Sequence, residues 1–231
     1  MVPPDDRTGH RVIIALDIEK STSRPDLVKA QLRRTVYELF EQALRSAGIH
    51  PRCRDRFIDR GDGILALIRP LDQAPKAVLL NRVIPALSQL LASYNANLPL
   101  PERPQRQLRV RAVVHAGEVH YDANGCFGEA LDVAFRLLDA AYVKKALREA
   151  AGPLTLVVSA EIYRSVVRQG HRGIDQHTYR PLVRVQVAGS RHQGWIHVPQ
   201  QAAPSRVADM AWYRQPVYPL GARPASHVTL S

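Results

Sequence analysis

Two aspartates stand where a carboxylate can become a metal ligand. Asp17 follows the hydrophobic run VIIAL, and Asp62 lies in the glycine-flanked turn DRGDG, 45 residues further along the chain. Their carboxylates would suit a pair of Mg²⁺ or Mn²⁺ ions, because these ions prefer hard oxygen ligands and share their coordination with phosphates. The alternative is that Asp17 only ends a strand and Asp62 only forms a turn, as aspartates in such places commonly do.

A third segment carries charged residues at helical spacing. After the hydrophobic stretch LRVRAVVHAGEVHY, Gly125 and Gly128 precede the segment 129–150, in which Asp132 and Arg136 are four residues apart. Four residues make about one helical turn, so the two side chains project from one face of a helix. A guanidinium held there can stabilise negative charge on phosphoryl oxygens. The alternative for Arg136 is an ordinary solvated arginine.

The elements that position these residues are predicted from hydrophobic periodicity. The order is a strand at 11–18, a helix at 25–47, a hairpin (CRDRFI and ILALIRP) connected by residues 59–63, a helix at 75–96, a strand at 108–121, a helix at 129–150, a strand at 153–159, a helix at 160–169 and a last pair of strands at 179–188 and 193–199. This order predicts an α/β fold with a ferredoxin-like βαββαβ core and additional strands and helices.

The composition limits the class of protein. The chain has 231 residues, 45% of them hydrophobic, which fits one medium-sized domain at 10–199. An N-terminal arm is predicted at 1–9, and a Pro/Ala-rich, extended or disordered tail at 200–231.

The net charge is +11, but the basic residues are spread out and no nucleic-acid-binding motif occurs, so we expect no nucleic-acid partner. No apolar run can span a bilayer and no signal pattern occurs, so we expect a cytoplasmic protein.

Together the three segments resemble the catalytic domain of class III nucleotidyl cyclases. They match the family's strand-end Asp-Ile, its Gly-Asp hairpin and its Gly-x-x-x-Asn-x-x-x-Arg helix, over about residues 10 to 198. The matching residues are Asp17, Ile18, Gly61, Asp62, Gly128, Asp132 and Arg136. The resemblance implies a phosphorus–oxygen lyase that converts a nucleoside triphosphate to a cyclic monophosphate and pyrophosphate with two divalent cations, Mn²⁺ or Mg²⁺, as cofactors.

The resemblance also implies roles for particular residues. Asp17 and Asp62 would hold the metal ions, together with the Ile18 carbonyl, and Arg136 would stabilise the transition state. The β- and γ-phosphates would bind the start of the following helix, at Glu19, Lys20, Ser21 and Thr22. Arg191, in the last hairpin, would approach the triphosphate, although a surface arginine is the alternative.

In the family the metal ligands and the helix arginine of one site come from different chains. The resemblance therefore implies a head-to-tail homodimer with two sites.

Three positions depart from the family pattern. Asp132 stands where an asparagine usually orients the ribose, and a carboxylate there should weaken phosphate binding. Ile58 and Gly125 stand where purine cyclases carry the side chains that read the base. Their lack of polar side chains favours a pyrimidine cyclase that makes cyclic UMP or cyclic CMP, similar to the stand-alone enzymes of bacterial anti-phage signalling (Pycsar). The alternatives are an adenylate-type or relaxed-specificity cyclase, and a degenerate module that binds a nucleotide or a partner without turnover.

Overall fold

The computed structural model describes residues 7–70, 75–171 and 173–199. The strands are β1 (Arg7–Ile18), β2 (Ile58–Asp59), β3 (Gly63–Ile68), β4 (Val110–Asp122), β5 (Gly125–Phe127), β6 (Leu154–Ser159), β7 (Arg180–Val187) and β8 (Ser190–His197). The helices are α1 (Asp26–Ser46), α2 (Lys76–Val78), α3 (Ile84–Ala96), α4 (Arg103–Arg106), α5 (Glu129–Leu138), α6 (Ala141–Glu149) and α7 (Ala160–Ser165), with a π-helical turn, Leu79–Val83, joining α2 to α3. No described helix has the length and apolar character needed to cross a membrane.

The first half of the chain forms the βαββαβ core. Strands β2, β3, β1 and β4 are neighbours in that order, and each adjacent pair is antiparallel. Helix α1 connects β1 to β2, and the segment from α2 to α4 connects β3 to β4. This is the ferredoxin-like arrangement, so the fold predicted from the sequence is confirmed.

The second half extends the sheet beyond β4. Strand β6 pairs with β4 in parallel, β8 pairs with β6, and β7 pairs with β8, so that the last hairpin completes the edge. The parallel step from β4 to β6 needs a crossover connection, which α5 and α6 supply. The short strand β5 pairs only with the end of β4 and leads directly into α5.

Helix α5 covers one face of the sheet because its apolar residues recur at helical spacing. Its buried residues are Ala130, Leu131, Val133, Ala134, Leu137 and Leu138. They join a core cluster that contains Ile13, Ala15 and Val113 from the two central strands. The alternate residues Val12 and Ile14 point to the opposite face and are also buried, so the sheet is covered on both sides.

Several sequence-based boundaries were wrong. The single helix predicted at 129–150 is two helices, because Ala140 is extended (φ −59°, ψ 139°) between α5 and α6. Two contacts stabilise the chain at this break. The Leu138 carbonyl accepts a hydrogen bond from Arg111 on β4 (3.4 Å), and Asp139 pairs with Lys144 on α6 (2.5 Å). The helix predicted at 160–169 ends at Ser165 and continues as a 3₁₀ turn.

The expected N-terminal arm also overlaps the sheet. Strand β1 begins at Arg7, so residues 7–9 pair with β4 instead of forming part of an arm. The rest of the arm, residues 1–6, and the expected tail, residues 200–231, lie outside the described residues.

Candidate active site

Asp17 and Asp62 lie side by side at one end of the sheet. Asp17 is opposite Gly63 in the register of β1 with β3, and the Ile18 amide donates to the Asp62 carbonyl (3.1 Å). Both aspartates line a cavity of about 200 Å³, which we call the carboxylate cavity. Its lining residues are Leu16, Asp17, Arg60, Asp62, Gly63, Arg111, Phe135, Leu138 and Asp139.

The close approach of the hairpin to β1 depends on Gly63. A Cβ atom at this position would lie 2.4 Å from the Leu16 carbonyl oxygen, which is a backbone atom of the adjacent strand. Any larger residue would therefore push the hairpin away from β1. The glycine that follows Asp62 is thus what allows the two carboxylates to share one cavity.

Asp17 has a cationic partner within the same chain. Asp17 and Arg111 are directly opposed in the antiparallel register of β1 and β4, so their side chains lie on the same face of the sheet. The Arg111 guanidinium donates to the Asp17 carboxylate and also pairs with Asp139 (3.5 Å). Both members of the Asp17–Arg111 pair are largely buried.

The pKa of Asp17 reflects this crowded environment. Burial raises the pKa of the Asp17 carboxyl above its ordinary value, and the Arg111 guanidinium opposes that rise. The negative charges of Asp62 and Asp139 raise the same pKa further. The carboxylate cavity is therefore a place where additional positive charge stabilises the ionised form of Asp17.

The donor chemistry fits a divalent cation at Asp17 and Asp62. Both groups are hard oxygen ligands, and Mg²⁺ and Mn²⁺ commonly use one or two protein carboxylates and complete their coordination with substrate phosphates and water. Among the described residues, no group of three or more His, Cys, Asp or Glu side chains is arranged to hold a metal ion. A metal ion here would therefore depend on ligands from outside these side chains, as a substrate triphosphate provides.

The segment after Asp17 was expected to bind phosphates, and this stays a prediction, although Glu19 already has partners within the protein. The Glu19 amide donates to the Arg109 carbonyl (2.8 Å), and its carboxylate pairs with the Arg109 side chain (3.0 Å), so Glu19 is occupied within the protein. Lys20 has a left-handed backbone (φ 55°) and begins a short 3₁₀ turn in which Ser21 is buried and Thr22 is exposed.

A cavity of about 220 Å³ adjoins this segment, and we call it the basic cavity. Its lining residues are Glu19, Lys20, Arg111, Lys144, Leu147 and Arg148. Arg111 lines both this cavity and the carboxylate cavity, so the two are neighbours. Of the four cations in its walls, Arg111 and Lys144 already pair with Asp17 and Asp139, so Lys20 and Arg148 are the ones that suit the basic cavity to an anion.

Asp132 and Arg136 line a different and larger cavity, of about 580 Å³, which we call the helix cavity. Its lining residues are Arg60, Asp132, Phe135, Arg136, Asp139, Gln186, Val187 and Ala188. The exposed side chains of Asp132 and Arg136 project into it from α5, as their spacing predicted. Arg60, Phe135 and Asp139 line both this cavity and the carboxylate cavity.

Solved structures with similar architecture are nucleotidyl cyclases. The guanylyl cyclase Cya2 superposes with a TM-score of 0.57 at 13% identity, over 83% of this chain and 93% of that one. The chain has the nucleotidyl cyclase fold. An adenylate/guanylate cyclase/hydrolase from Silicibacter pomeroyi (TM-score 0.56, 17% identity, 84% and 98% covered) and the adenylyl cyclase CyaB from P. aeruginosa (0.54, 12%, 87% and 100%) are similarly matched. No family model and no curated protein sequence matches the chain.

The cyclase fold places the two candidate base-reading positions differently. Ile58 is half-buried and packs against the core cluster beneath α5. Gly125 is exposed at the start of β5 with φ 142°, a conformation in which a side chain would be strained. Gly125 therefore has a backbone reason to be glycine, separate from any role in selecting a base.

Arg191 lies at the start of β8, just after the β7–β8 turn. It is exposed, and its partner in the register is Gln186, which lines the helix cavity. Arg191 thus stands beside this cavity, and its contact with a triphosphate stays a prediction.

Sequence reasoning missed four residues of the candidate site. Its cavities are also lined by Arg111, Asp139, Phe135 and Arg60, and none of these was predicted as a site residue, although Arg60 lies within the turn DRGDG. One sequence signal was available for Arg111, since a charged residue at the start of the hydrophobic stretch VRAVV is unusual for a strand buried on both faces. The pairing of Arg111 with Asp17 depends on strand register, which no local pattern specifies.

Proposed function

We propose that this protein is a nucleotide cyclase, which converts a nucleoside triphosphate to a 3′,5′-cyclic monophosphate and pyrophosphate. One observation carries the proposal: the Asp17 and Asp62 carboxylates share one cavity, and Arg136 lines a second cavity on the surface of α5, where another copy of the chain could receive it. Metal-binding oxygens and a transition-state cation are the two features that in-line attack on a phosphorus atom requires. The fold that the chain shares with known cyclases supports the same reaction.

Asp17 and Asp62 would hold two divalent cations, with the Ile18 carbonyl as a further ligand. When bound, such ions lower the pKa of the ribose 3′-hydroxyl and neutralise the triphosphate. The residues of this chain do the positioning. Gly63 keeps the two carboxylates together, and Arg111 opposes the burial that raises the pKa of Asp17.

The cationic side chains around the cavities would bind the phosphates. Arg136 is exposed on α5 and projects into the helix cavity, so it can stabilise charge that develops on the α-phosphoryl oxygens. Lys20 lines the basic cavity next to the metal ligands, where the β- and γ-phosphates would lie. Ser21 and Thr22 belong to the same turn, and Arg191 would approach from the β7–β8 hairpin.

The active form would be a head-to-tail homodimer with two equivalent sites. Within one chain, Asp17 and Asp62 line the carboxylate cavity, whereas Arg136 lines the helix cavity. A second copy that presents its Arg136 to the first copy's aspartates would complete a site. A symmetric pair of chains then completes two sites at once.

The preferred substrate would be a pyrimidine nucleotide, with cyclic UMP or cyclic CMP as a second messenger in anti-phage defence. Ile58 and Gly125 supply no side-chain hydrogen bond with which to read a purine, and this supports the assignment. An adenylate-type or relaxed-specificity enzyme would differ only in the base it accepts. A catalytically degenerate module that binds a nucleotide or a partner is the second candidate, favoured by the carboxylate at position 132 in the helix cavity.

The first test is incubation of the protein with Mn²⁺ and, separately, ATP, GTP, CTP and UTP, with products identified by mass spectrometry. The proposal expects a cyclic monophosphate that disappears in the Asp62→Ala variant. Asp26→Ala removes an exposed aspartate at the start of α1 and serves as the control. Product that persists in Asp62→Ala would overturn the metal-ligand assignment, and nucleotide binding without any product would favour the degenerate module.

A further inference from the structure

Arg60 lies between two cavities and has no assigned part in the proposed cyclase reaction. It lies in the turn between β2 and β3 and lines both the carboxylate cavity and the helix cavity. Its guanidinium carbon lies 4.3 Å from the centre of the Phe135 ring, on α5. Arg60 therefore links the hairpin that carries Asp62 to the helix that carries Arg136.

The backbone of the turn holds Arg60 in place without using its side chain. The Arg60 amide donates to the Gly63 carbonyl (3.1 Å), which closes the turn. The neighbouring Asp59 accepts from the Gly61 amide (2.9 Å) and from both terminal nitrogens of Arg33 on α1 (2.9 and 2.6 Å). The turn is thus anchored to α1 as well as to β3, so the Cα–Cβ bond of Arg60 has a fixed direction before any ligand binds.

The Arg60 guanidinium keeps its hydrogen-bonding capacity. Within the ranges 7–70, 75–171 and 173–199, no ion pair involves Arg60, and its close contact is with the face of the Phe135 ring. Stacking on an aromatic face leaves the N–H groups around the guanidinium edge available. An exposed, oriented donor that lines a cavity of about 580 Å³ is suited to a polar ligand group.

The surroundings of Arg60 place it beside the two positions that were expected to read the base. Ile58 is two residues earlier, at the start of the same hairpin. Cys126, which follows Gly125, packs against the same core cluster as Ile58 and Phe135, and the Arg60 charge opposes the burial that raises the pKa of the Cys126 thiol. The aromatic ring of Phe135 and the amide of Gln186 also border the helix cavity.

We propose that Arg60 reads the nucleobase and selects bases that carry a carbonyl acceptor over adenine. This inference rests on the proposed function, because it needs a nucleotide in the helix cavity. A guanidinium only donates hydrogen bonds. Uracil, cytosine and guanine present carbonyl oxygens to such a donor, whereas the acceptors of adenine are ring nitrogens, and two of them flank an amino group whose N–H donors repel those of the guanidinium. Arg60 would thus supply the base contact that Ile58 and Gly125 lack.

The experiment compares the four nucleoside triphosphates in wild type, Arg60→Gln and Arg60→Ala. For each we would measure kcat/KM with Mn²⁺ and, separately, equilibrium binding of non-cyclisable α,β-methylene triphosphates. Wild type should prefer the best carbonyl-bearing nucleotide over ATP, and Arg60→Ala should reduce this ratio at least about tenfold. Arg60→Gln should shift the ratio towards ATP, because a glutamine amide can both donate to and accept from adenine.

Arg56→Ala is the matched control, since it removes an exposed arginine from the same segment. It should leave the ratio unchanged. An equal loss for all four nucleotides in Arg60→Ala would mean that Arg60 contacts phosphate or ribose, and an unchanged ratio would mean that it contacts no base; either result overturns the proposal. A shifted binding ratio without cyclic product in wild type would support base reading while refuting the proposed reaction.

Discussion

Asp17 on β1 and Arg111 on β4 are directly opposed in the sheet, and the arginine donates to the aspartate carboxylate. The two residues are 94 positions apart in the chain. Their pairing puts a cation where the proposed reaction needs a metal ion. Arg111 therefore both favours the ionised form of Asp17, against the burial that raises its pKa, and opposes the approach of another cation.

Replacing Arg111 should separate these two effects. Arg111→Gln leaves a largely buried carboxylate without its partner, so the metal-free protein should lose about 3 kcal/mol of its free energy of unfolding. Mn²⁺ should then stabilise the variant more than it stabilises wild type, because no cation competes at Asp17. Urea denaturation with and without Mn²⁺ measures both changes.

The control for this experiment is Lys145→Gln. Lys145 makes an exposed pair with Glu149 on α6 and lines none of the three cavities. It should change stability by less than about 1 kcal/mol. Equal Mn²⁺ stabilisation of Arg111→Gln and wild type would show that the ion does not bind at Asp17.

Mixing two inactive variants should restore activity if sites form between chains. Asp62→Ala removes a proposed metal ligand and Arg136→Ala removes the proposed transition-state cation, so each variant alone should be inactive. A mixed dimer has one site with both residues intact, and random pairing should give about a quarter of wild-type activity. Titrating one variant into the other and assaying the cyclic product measures this recovery. A mixture that stays inactive after verified subunit exchange would argue against shared sites.

Asp132→Asn should improve the proposed enzyme. The carboxylate projects into the same cavity as Arg136, where its negative charge would repel the phosphates of a bound nucleotide. Its neutral isostere removes that charge, and kcat/KM should rise about five- to tenfold. Steady-state kinetics with the preferred triphosphate tests this. Glu129→Gln, on the same helix but facing a different cavity, should have little effect.

His115 should make the fold sensitive to acid. Burial lowers the pKa of His115 to about 4, and its Nδ1 lies 2.8 Å from the Ser159 hydroxyl. Between pH 6.5 and about 4, the unfolded chain takes up a proton at His115 that the folded protein does not, so stability is lost as the pH falls. The loss from this group reaches at most about 3 kcal/mol.

The variant His115→Gln removes this titration and keeps a partner for Ser159. The free-energy advantage of wild type over the variant, measured by urea denaturation, should therefore shrink between pH 7 and pH 4.5. His50→Gln replaces an exposed histidine and serves as the control. A constant difference between wild type and His115→Gln across this range would contradict the prediction.

The sequence by itself determined the elements and the places of the motifs. Asp17 ends a strand, Asp62 lies in a hairpin turn, and Asp132 and Arg136 share one face of a helix, as predicted. These features follow from side-chain periodicity and from glycine-containing turns, which are local properties of the chain. Element order then led to the ferredoxin-like core, because few topologies suit such an order.

Only the tertiary structure decided which side chains meet. Arg111 faces Asp17, Arg109 pairs with Glu19, and Arg60 stacks on Phe135. The two residues of each pair are 75 or more positions apart in the chain. The break between α5 and α6 likewise accompanies contacts of Arg111 and Lys144 with the end of α5. Such contacts depend on strand register and on the packing of helices against the sheet, in which a shift of one residue turns a side chain to the opposite face.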